Sequence, residues 1–216
     1  MRVEVWSDVV CPWCYLGKRR LESALRRFEH GDGVEVAWRS FELDPTAPRR
    51  RSVSAAEHLA AKYRLTMEQV DASWARLTAL GEAEGIEFHL EQAQGGSSFD
   101  AHRLTHVGGA HGLRDEVTER LFRAYFTEAA AIGERETLAR VGAEAELPAD
   151  EVEDALATDH FAAEVRDEER RARELGIAAV PFFVIDGRYG IEGAQSADVL
   201  LEVLEAVWAE RAAAPS

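Results

Sequence analysis

The sequence predicts an α/β fold in which a small domain of strands and helices is interrupted by a large, all-helical insertion. Three observations lead to this prediction: the first 41 residues contain a strand, a helix and a second strand, the chain from Phe182 onward contains two strands and a helix, and the segment between carries mainly helical patterns. A single crossover helix needs far fewer residues than this segment provides. We therefore assign residues 1–44 and 160–216 to the split domain and residues 45–159 to the insertion.

The first three elements form a strand–helix–strand unit. Residues 2–7 and 34–41 alternate between apolar and polar side chains, as half-buried strands do. Between them, apolar residues recur at helical spacing up to Phe28, and the segment HGDG supplies glycines that end the helix. Because a helix joining two strands of one sheet makes a right-handed crossover, the two strands are predicted to be parallel.

The middle of the chain is predicted to consist of amphipathic helices. Three apolar stripes indicate them, formed by Met67, Val70, Trp74 and Leu77, by Val117, Leu121, Phe122 and Phe126, and by Phe161, Val165, Ala172 and Leu175. The segment GIEFHL, residues 85–90, is the one short candidate for an extended strand. Ser97 or Ser98 is expected to cap a helix that begins near Phe99, with Asp100 completing a capping box.

The last elements are predicted to be a hairpin and a helix. Phe182–Ile185 is a continuous apolar run, as expected for a strand that is covered on both faces. The following Asp186 and Gly187 predict a two-residue turn into an antiparallel partner. Ser196 is expected to cap the last helix, whose buried side carries Val199, Val203, Leu204 and Val207, and residues 211–216 are expected to fray.

Composition and charge exclude two classes of partner. The chain carries 40 acidic and 25 basic residues, a formal charge of −15 that repels nucleic acid and anionic lipid surfaces. No stretch approaches the roughly 18 apolar residues that a membrane span needs. The N-terminus also lacks the basic start, apolar run and cleavage site of a secretory signal, so we expect a cytoplasmic protein.

The two cysteines of the chain, Cys11 and Cys14, have three interpretations. A structural zinc site would need further ligands, for which His102 and His106 are the best placed, but their spacing from the cysteines is not that of a zinc finger. Two small apolar core residues are a second interpretation. The third is a redox-active dithiol, which we favour, and with it no metal is expected.

The dithiol interpretation gives each residue of CPWC a role. Cys11 at a helix N-terminus gains from backbone amides and the helix dipole, which favour a thiolate and make it the attacking sulfur. Pro12 suits the first helical turn, where its missing N–H costs nothing. Cys11 is expected to be the exposed sulfur, and Cys14, one turn later, is expected to be shielded behind it and to resolve the mixed disulfide. Trp13 is an exposed apolar residue, for which packing on the insertion is the ordinary explanation.

Several segments together resemble the DsbA-like thioredoxin-fold family, most closely its cytoplasmic FrnE-like branch. They are VWSDVVCPWCYLGKRRLE, FELDP, FDAHRL, ERLFRAYF and ARELGIAAVPFFVIDGRYGIEGAQ, and they run along essentially the whole chain. The resemblance implies a thioredoxin fold split by a helical insertion. It also implies that Pro181 follows a cis peptide bond facing the dithiol and that the backbone of Val180 holds an extended substrate; a trans proline that starts a strand is the ordinary alternative.

The family resemblance implies a thiol–disulfide oxidoreductase, or a disulfide isomerase, that acts on protein or peptide thiols and disulfides. No cofactor is implied beyond the dithiol, with glutathione as a candidate co-substrate and Val180, Gln195 and Ser196 as candidate contacts for it. The runner-up is a glutathione-dependent isomerase or transferase of small aromatic compounds, as in the related 2-hydroxychromene-2-carboxylate isomerases and kappa-class glutathione transferases. A tailoring role in polyketide biosynthesis, a chaperone-like binding module and a homodimer built on the insertion stay open.

Two features depart from the relatives or stay outside the predicted site. Some relatives carry a second cysteine pair near the C-terminus, which this chain lacks, so its dithiol must exchange directly with another molecule. The segment FDAHRL recurs in the family, and relatives often carry Asn-Thr where this chain has Ser97 and Ser98. We interpret Asp100, His102 and Arg103 in it as a helix start with a surface ion pair, outside the catalytic set.

Overall fold

A mixed four-stranded sheet carries the first and last parts of the chain. In the computed structural model, which describes residues 1–213, the strands are β1 (Arg2–Ser7), β2 (Glu35–Ser40), β3 (Phe182–Ile185) and β4 (Tyr189–Glu192). Their order is β2-β1-β3-β4, with β1 and β2 parallel and β3 antiparallel to both β1 and β4. This is the thioredoxin-like arrangement that the resemblance implies, and the parallel pairing predicted for the first two strands is confirmed.

The described part of the chain has nine α-helices. They are α1 (Pro12–Arg27), α2 (Ala55–Tyr63), α3 (Met67–Ala83), α4 (Phe99–Ala110), α5 (Arg114–Phe126), α6 (Arg135–Glu144), α7 (Ala149–Ala157), α8 (Ala162–Glu174) and α9 (Ala197–Ala213). α1 packs against α9, and α8 packs against β2. The six helices α2 to α7 fall within residues 45–159, as an all-helical insertion requires, while the domain boundaries themselves stay a prediction.

Two hydrophobic cores lie on opposite faces of the sheet. The smaller one joins alternate residues of β1 and β3, such as Val3, Val5 and Phe183, to the apolar sides of α1 and α9. The larger one begins at Trp6 and the two cysteines and extends through the insertion. Successive residues of a strand point to opposite faces, so Trp6 lies in the larger core while Val3 and Val5 lie in the smaller one. The two cysteines follow β1 in the chain and join the larger core, which extends into the insertion.

The hairpin between β3 and β4 has a three-residue loop rather than the predicted two-residue turn. Ile185 pairs with Tyr189, and the Arg188 amide donates to the Ile185 carbonyl at 3.0 Å. Asp186 and Gly187 both have positive φ, at 48° and 67°, as the sequence Asp-Gly favours. The Asp186 carboxylate accepts the Arg2 amide at 2.8 Å, which fixes the loop beside the start of β1.

Three other local predictions need correction. The segment 85–90 buries alternate side chains, yet it pairs with no strand and instead packs Phe88 against aromatic rings of α1 and α5. The helix near Phe99 lacks the predicted capping box, because the Ser97 hydroxyl accepts the Phe99 amide at 3.2 Å and Asp100 pairs elsewhere. The apolar stripes run past the buried faces, since their terminal members Met67, Leu175 and Val199 are exposed.

The end of the chain agrees with the sequence at the start of α9 and differs from it at the end of this helix. The Ser196 hydroxyl accepts the Val199 amide at 3.3 Å, which confirms the predicted cap of α9. α9 continues to Ala213, so the fraying predicted for residues 211–216 is wrong for residues 211–213, which are helical, while residues 214–216 lie outside the described part of the chain. Among residues 1–213, no helix has both the length and the apolar character that crossing a membrane demands.

Candidate active site

The cysteine pair lies at the junction of sheet and insertion, at the start of α1. Cys11 is the N-cap residue with extended backbone, and Pro12 occupies the first helical position. The Cys14 amide donates to the Cys11 carbonyl at 3.0 Å, so the second cysteine sits in the first turn of the helix. Both thiols are free. The structure therefore places the motif at a helix N-terminus, as the sequence predicts.

The accessibility of the two sulfurs differs from the expectation. Cys11 is 4% exposed and Cys14 is 1% exposed, so both cysteines are buried and Cys11 is not an exposed residue. The Cys11 thiol donates to the carbonyl oxygen of Val180, with 3.6 Å between Sγ and O, which partly explains its burial. The two sulfurs still differ in position, because Cys11 lines a cavity whose walls do not include Cys14.

Burial determines the protonation of the second thiol. It raises the pKa of the Cys14 thiol well above its usual value, and the neighbouring Cys11 thiol raises the pKa further. A backbone hydrogen bond from Asp8 acts in the opposite direction without reversing the shift. Cys14 is thus held as a thiol in the reduced chain, which suits a group that reacts second.

The loop before β3 closes one side of the dithiol. The Val180–Pro181 peptide bond is cis, as the resemblance implies. The Pro181 carbonyl accepts the Gly193 amide at 2.9 Å, and the Pro181 ring lies close to α1 at Gly17, where an added Cβ would be 3.0 Å from Pro181 Cγ. The absence of a side chain at Gly17 therefore lets this loop approach the helix that carries the cysteines.

A cavity of about 280 Å³ opens on the other side of Cys11, between the dithiol and the insertion. The CPWC segment contributes Cys11, Pro12 and Trp13, and Trp13 is 37% exposed. The insertion contributes apolar and aromatic side chains, among them Leu59, Tyr63, Trp74, Tyr125 and Phe126, together with the basic residues Arg51, His58 and Lys62. Trp13 thus packs beside the insertion and also borders an apolar space with basic groups on its wall.

Asp8 is a buried site residue that our sequence reasoning did not single out. It is fully buried, its Oδ1 accepts the Val10 amide at 3.3 Å, and its Oδ2 accepts the Leu43 amide at 2.7 Å. Its carboxylate also lies 3.5 Å from Nε2 of His102. The position of an acidic residue between a buried strand and the dithiol was the signal that could have identified it.

The segment FDAHRL starts a helix as predicted, but the prediction that its ion pair lies at the surface is wrong. The Asp100–Arg103 ion pair exists at 2.8 Å, but Arg103 is 4% exposed and His102 is 3% exposed. Arg103 donates to carbonyl oxygens of Ala155, Thr158 and His160. It therefore satisfies the C-terminal end of α7, a role that becomes visible only when two distant helices meet.

Gln195 and Ser196 are not brought to the cavity. Both are exposed, the Gln195 amide donates to the Glu192 carbonyl at 2.8 Å, and Ser196 caps α9. Their segment is nevertheless tied to the cis-proline loop through Gly193. The two residues thus have local structural roles, and their contact with glutathione stays a prediction.

The histidines considered for zinc face carboxylates. His102 lies against Asp8, and His106 Nε2 is 3.2 Å from Glu168. Within residues 1–213, no group of three or more His, Cys, Asp and Glu side chains is arranged to hold a metal ion.

Comparison with known proteins identifies the family. The family model described as a DSBA-like thioredoxin domain matches residues 2–205. The uncharacterized protein YwbO of Bacillus subtilis strain 168 is 30% identical over 206 residues, which cover 92% of this chain and 93% of YwbO. The crystal structure of the probable DsbA oxidoreductase SCO1869 from Streptomyces coelicolor is 42% identical and has a TM-score of 0.95, covering 100% of this chain and 92% of SCO1869.

A more distant structure shares the fold. The cytosolic disulfide reductase DsbM from Pseudomonas aeruginosa, solved with glutathione, is 20% identical and has a TM-score of 0.65, with 96% of this chain and 99% of DsbM covered. At this identity the likeness concerns the fold alone. The match to the family model and the 42% identity to SCO1869 extend over nearly the whole chain, and the protein belongs to the family of DsbA-like thioredoxin domain proteins.

Proposed function

We propose that this protein is a thiol–disulfide oxidoreductase in which Cys11 attacks and Cys14 resolves. The observation that carries the proposal is the pair of free thiols in the first turn of α1, with only Cys11 at the wall of a cavity. Backbone amides at the helix N-terminus favour the thiolate of the first cysteine. The raised pKa of Cys14 keeps the second sulfur protonated until the first step has occurred.

The reaction proceeds by two exchanges. The Cys11 thiolate attacks one sulfur of a substrate disulfide, so that the substrate S–S bond breaks, a mixed disulfide forms and the departing sulfur takes up a proton. Cys14 then loses its proton and attacks the Cys11 sulfur, which releases the second substrate thiol and leaves a Cys11–Cys14 disulfide. Two electrons have passed to the substrate, and two molecules of a thiol such as glutathione return the dithiol to its reduced form and leave as glutathione disulfide.

We further propose that protein or peptide disulfides are the substrates and that the protein works in the cytoplasm as a reductase or isomerase. A reducing compartment keeps such a dithiol reduced and therefore favours those directions over oxidation. The closeness of the Val180 carbonyl to Cys11, 3.6 Å from its Sγ, supports a role for this carbonyl as an acceptor for an extended substrate. The cytosolic reductase DsbM, solved with glutathione, supports glutathione as the reductant.

The test compares the wild type with Cys11→Ser and Cys14→Ser in turnover of a protein disulfide, with glutathione or dithiothreitol as reductant. We expect the wild type to turn over, Cys11→Ser to be inactive, and Cys14→Ser to accumulate a mixed disulfide on Cys11 that mass spectrometry detects. A wild type that leaves protein disulfides untouched would refute the proposal. An active Cys11→Ser variant would refute the assigned roles.

The cavity supports a second candidate, a glutathione-dependent isomerase or transferase of small aromatic compounds. Aromatic side chains such as Trp74 and Tyr125 together with Arg51 and Lys62 suit a small apolar molecule that carries an acidic group. The retention of both cysteines favours disulfide exchange over this chemistry. Isomerisation or conjugation of a small aromatic substrate with glutathione, without protein disulfide turnover, would select the second candidate.

A further inference from the structure

A buried ion pair beneath the dithiol connects the insertion to the loop that leads into Cys11. The pair consists of Asp8, which is fully buried, and His102 of α4, which is 3% exposed. Its closest atoms, Asp8 Oδ1 and His102 Nε2, are 3.5 Å apart. Building on the proposed function, we propose that His102 is a positioning residue for disulfide exchange, whose charged imidazole holds the Asp8 carboxylate that fixes the active-site loop.

Asp8 contacts the backbone on both sides of the loop. Its carbonyl accepts the Cys11 amide at 3.0 Å, and its carboxylate accepts the amides of Val10 and Leu43. The Asp8 backbone also lowers the pKa of Cys14, against the larger effect of burial. The orientation of Asp8 therefore sets the position of Cys11 relative to the segment that follows β2.

A carboxylate in this position needs a positive partner. An ionised carboxylate that is fully buried is strongly disfavoured unless it is paired and hydrogen-bonded. The two backbone amides supply hydrogen bonds, and His102 supplies the charge. Among the described residues, His102 Nε2 has no hydrogen-bond partner, so His102 and Asp8 interact through their charges. The Asp8 carboxylate oxygens accept hydrogen bonds from the amides of Val10 and Leu43 instead.

The groups around His102 favour its charged form. The carboxylates of Asp8, of Glu42 after β2 and of Glu169 on α8 raise the pKa of His102 against the opposing effect of burial. Arg166 on α8 pairs with both glutamates. Tyr125 on α5 lines the cavity together with Asp8 and stays neutral, because burial and the Asp8 charge raise its pKa. The surrounding carboxylates therefore outweigh burial and favour the imidazolium, which is lost as the pH rises through the raised pKa of His102.

Loss of the imidazolium predicts a defined redox effect. An uncompensated Asp8 carboxylate near Cys11 disfavours the thiolate of the reduced dithiol. The equilibrium between the dithiol and the disulfide therefore shifts towards the disulfide. We expect His102→Gln to shift the equilibrium constant with glutathione by about tenfold towards the disulfide, which corresponds to about 30 mV for this two-electron couple. In an Asp8→Asn background, the same substitution is expected to change that constant less than about twofold.

The matched control is His106→Gln. His106 lies one helical turn further along α4, is also mostly buried, and pairs with Glu168 instead of Asp8. We expect it to lower stability and leave the glutathione equilibrium within about twofold of the wild type. A similar redox shift in His106→Gln, or an equal effect of His102→Gln with and without Asp8, would overturn the proposal.

A second measurement covers the case in which His102→Gln does not fold. In Cys14→Ser, the rate of Cys11 alkylation is followed against pH, with Cys14→Ser/Asp8→Asn as its partner. We expect the alkylation rate of Cys14→Ser to show an additional step above pH 6.5, caused by the titration of His102, that Cys14→Ser/Asp8→Asn lacks. A profile with a single step in both proteins would contradict the proposal. The redox equilibrium belongs to the dithiol itself, so a wild type without protein disulfide turnover would refute the proposed function and leave this test decisive.

Discussion

Substitution of Gly17 by alanine tests whether the cis-proline loop must lie directly against α1. An added Cβ would be 3.0 Å from Pro181 Cγ and 3.3 Å from Phe183 Cζ, and both atoms belong to rings that cannot fold away. Overpacking of this kind costs about 2 kcal/mol, whereas alanine in place of glycine inside a helix contributes about 1 kcal/mol of stabilisation. We therefore expect Gly17→Ala to lower the free energy of unfolding by about 1 kcal/mol.

The same substitution is expected to slow disulfide exchange severalfold. The loop must move away from α1 by a few tenths of an ångström, and it carries the Val180 carbonyl that accepts the Cys11 thiol. Urea unfolding and the rate of exchange with a peptide disulfide are the two measurements.

Gly109→Ala provides the matched control for Gly17→Ala. The new Cβ on α4 would lie 3.4 Å from Cδ of Arg114, an ordinary van der Waals contact, so stability is expected to stay equal or to rise by about 0.5 kcal/mol. A Gly17→Ala protein that is as stable as Gly109→Ala and exchanges at the wild-type rate would refute the reasoning.

Three further predictions concern the contacts that hold the site together. Lys18 is 2% exposed and pairs with Glu22, Asp115 and Glu119. Because Lys18→Met leaves these carboxylates without their partner, we expect it to lower the free energy of unfolding in urea by about 2 kcal/mol. A loss below about 0.5 kcal/mol would contradict this. Phe122→Ala removes a ring stacked 4.9 Å from Tyr15 and is expected to cost about 3–5 kcal/mol, against less than about 1.5 kcal/mol for Phe122→Leu. Although burial raises it, contacts with His106 and Arg114 hold the pKa of Glu168 well below its usual range. Its contribution is therefore present above about pH 4.5 and is lost as the pH falls further, so Glu168→Gln is expected to flatten the acid side of the stability profile, and an unchanged profile would rule this out.

The sequence predicts the scaffold well because its signals are local. Alternating apolar residues located β1 and β2, and Ser196 marked the start of α9. The position of Cys11 and Cys14 at a helix N-terminus also follows from adjacent residues alone, since a strand, a proline and a helical stripe surround them. Where a feature depends on neighbours in sequence, its prediction needed no tertiary information.

The features that the sequence did not predict depend on contacts between distant segments. The burial of Cys11 follows in part from Val180, which lies 169 residues further along the chain. The sequence suggests that Arg103 is a surface ion-pair partner, because it does not show that the end of α7 and the residues after it place three carbonyl oxygens against its guanidinium. Segment 85–90 alternates like a strand because its apolar residues enter the core, and periodicity cannot show whether a pairing partner exists.

The arrangement of contacts around α1 limits where a substrate can enter. α1 packs against α5 through the stacking of Tyr15 on Phe122, and the ion pairs of Lys18 and Arg19 with Glu119 stabilise this contact. Separating α1 from α5 would break all of these contacts together. α2 is different, because it lines the cavity and has no buried residue. A local opening that has few buried apolar contacts to break has a low free energy, so access to Cys11 through the cavity is expected at α2, while the helix that carries the dithiol stays fixed to the insertion.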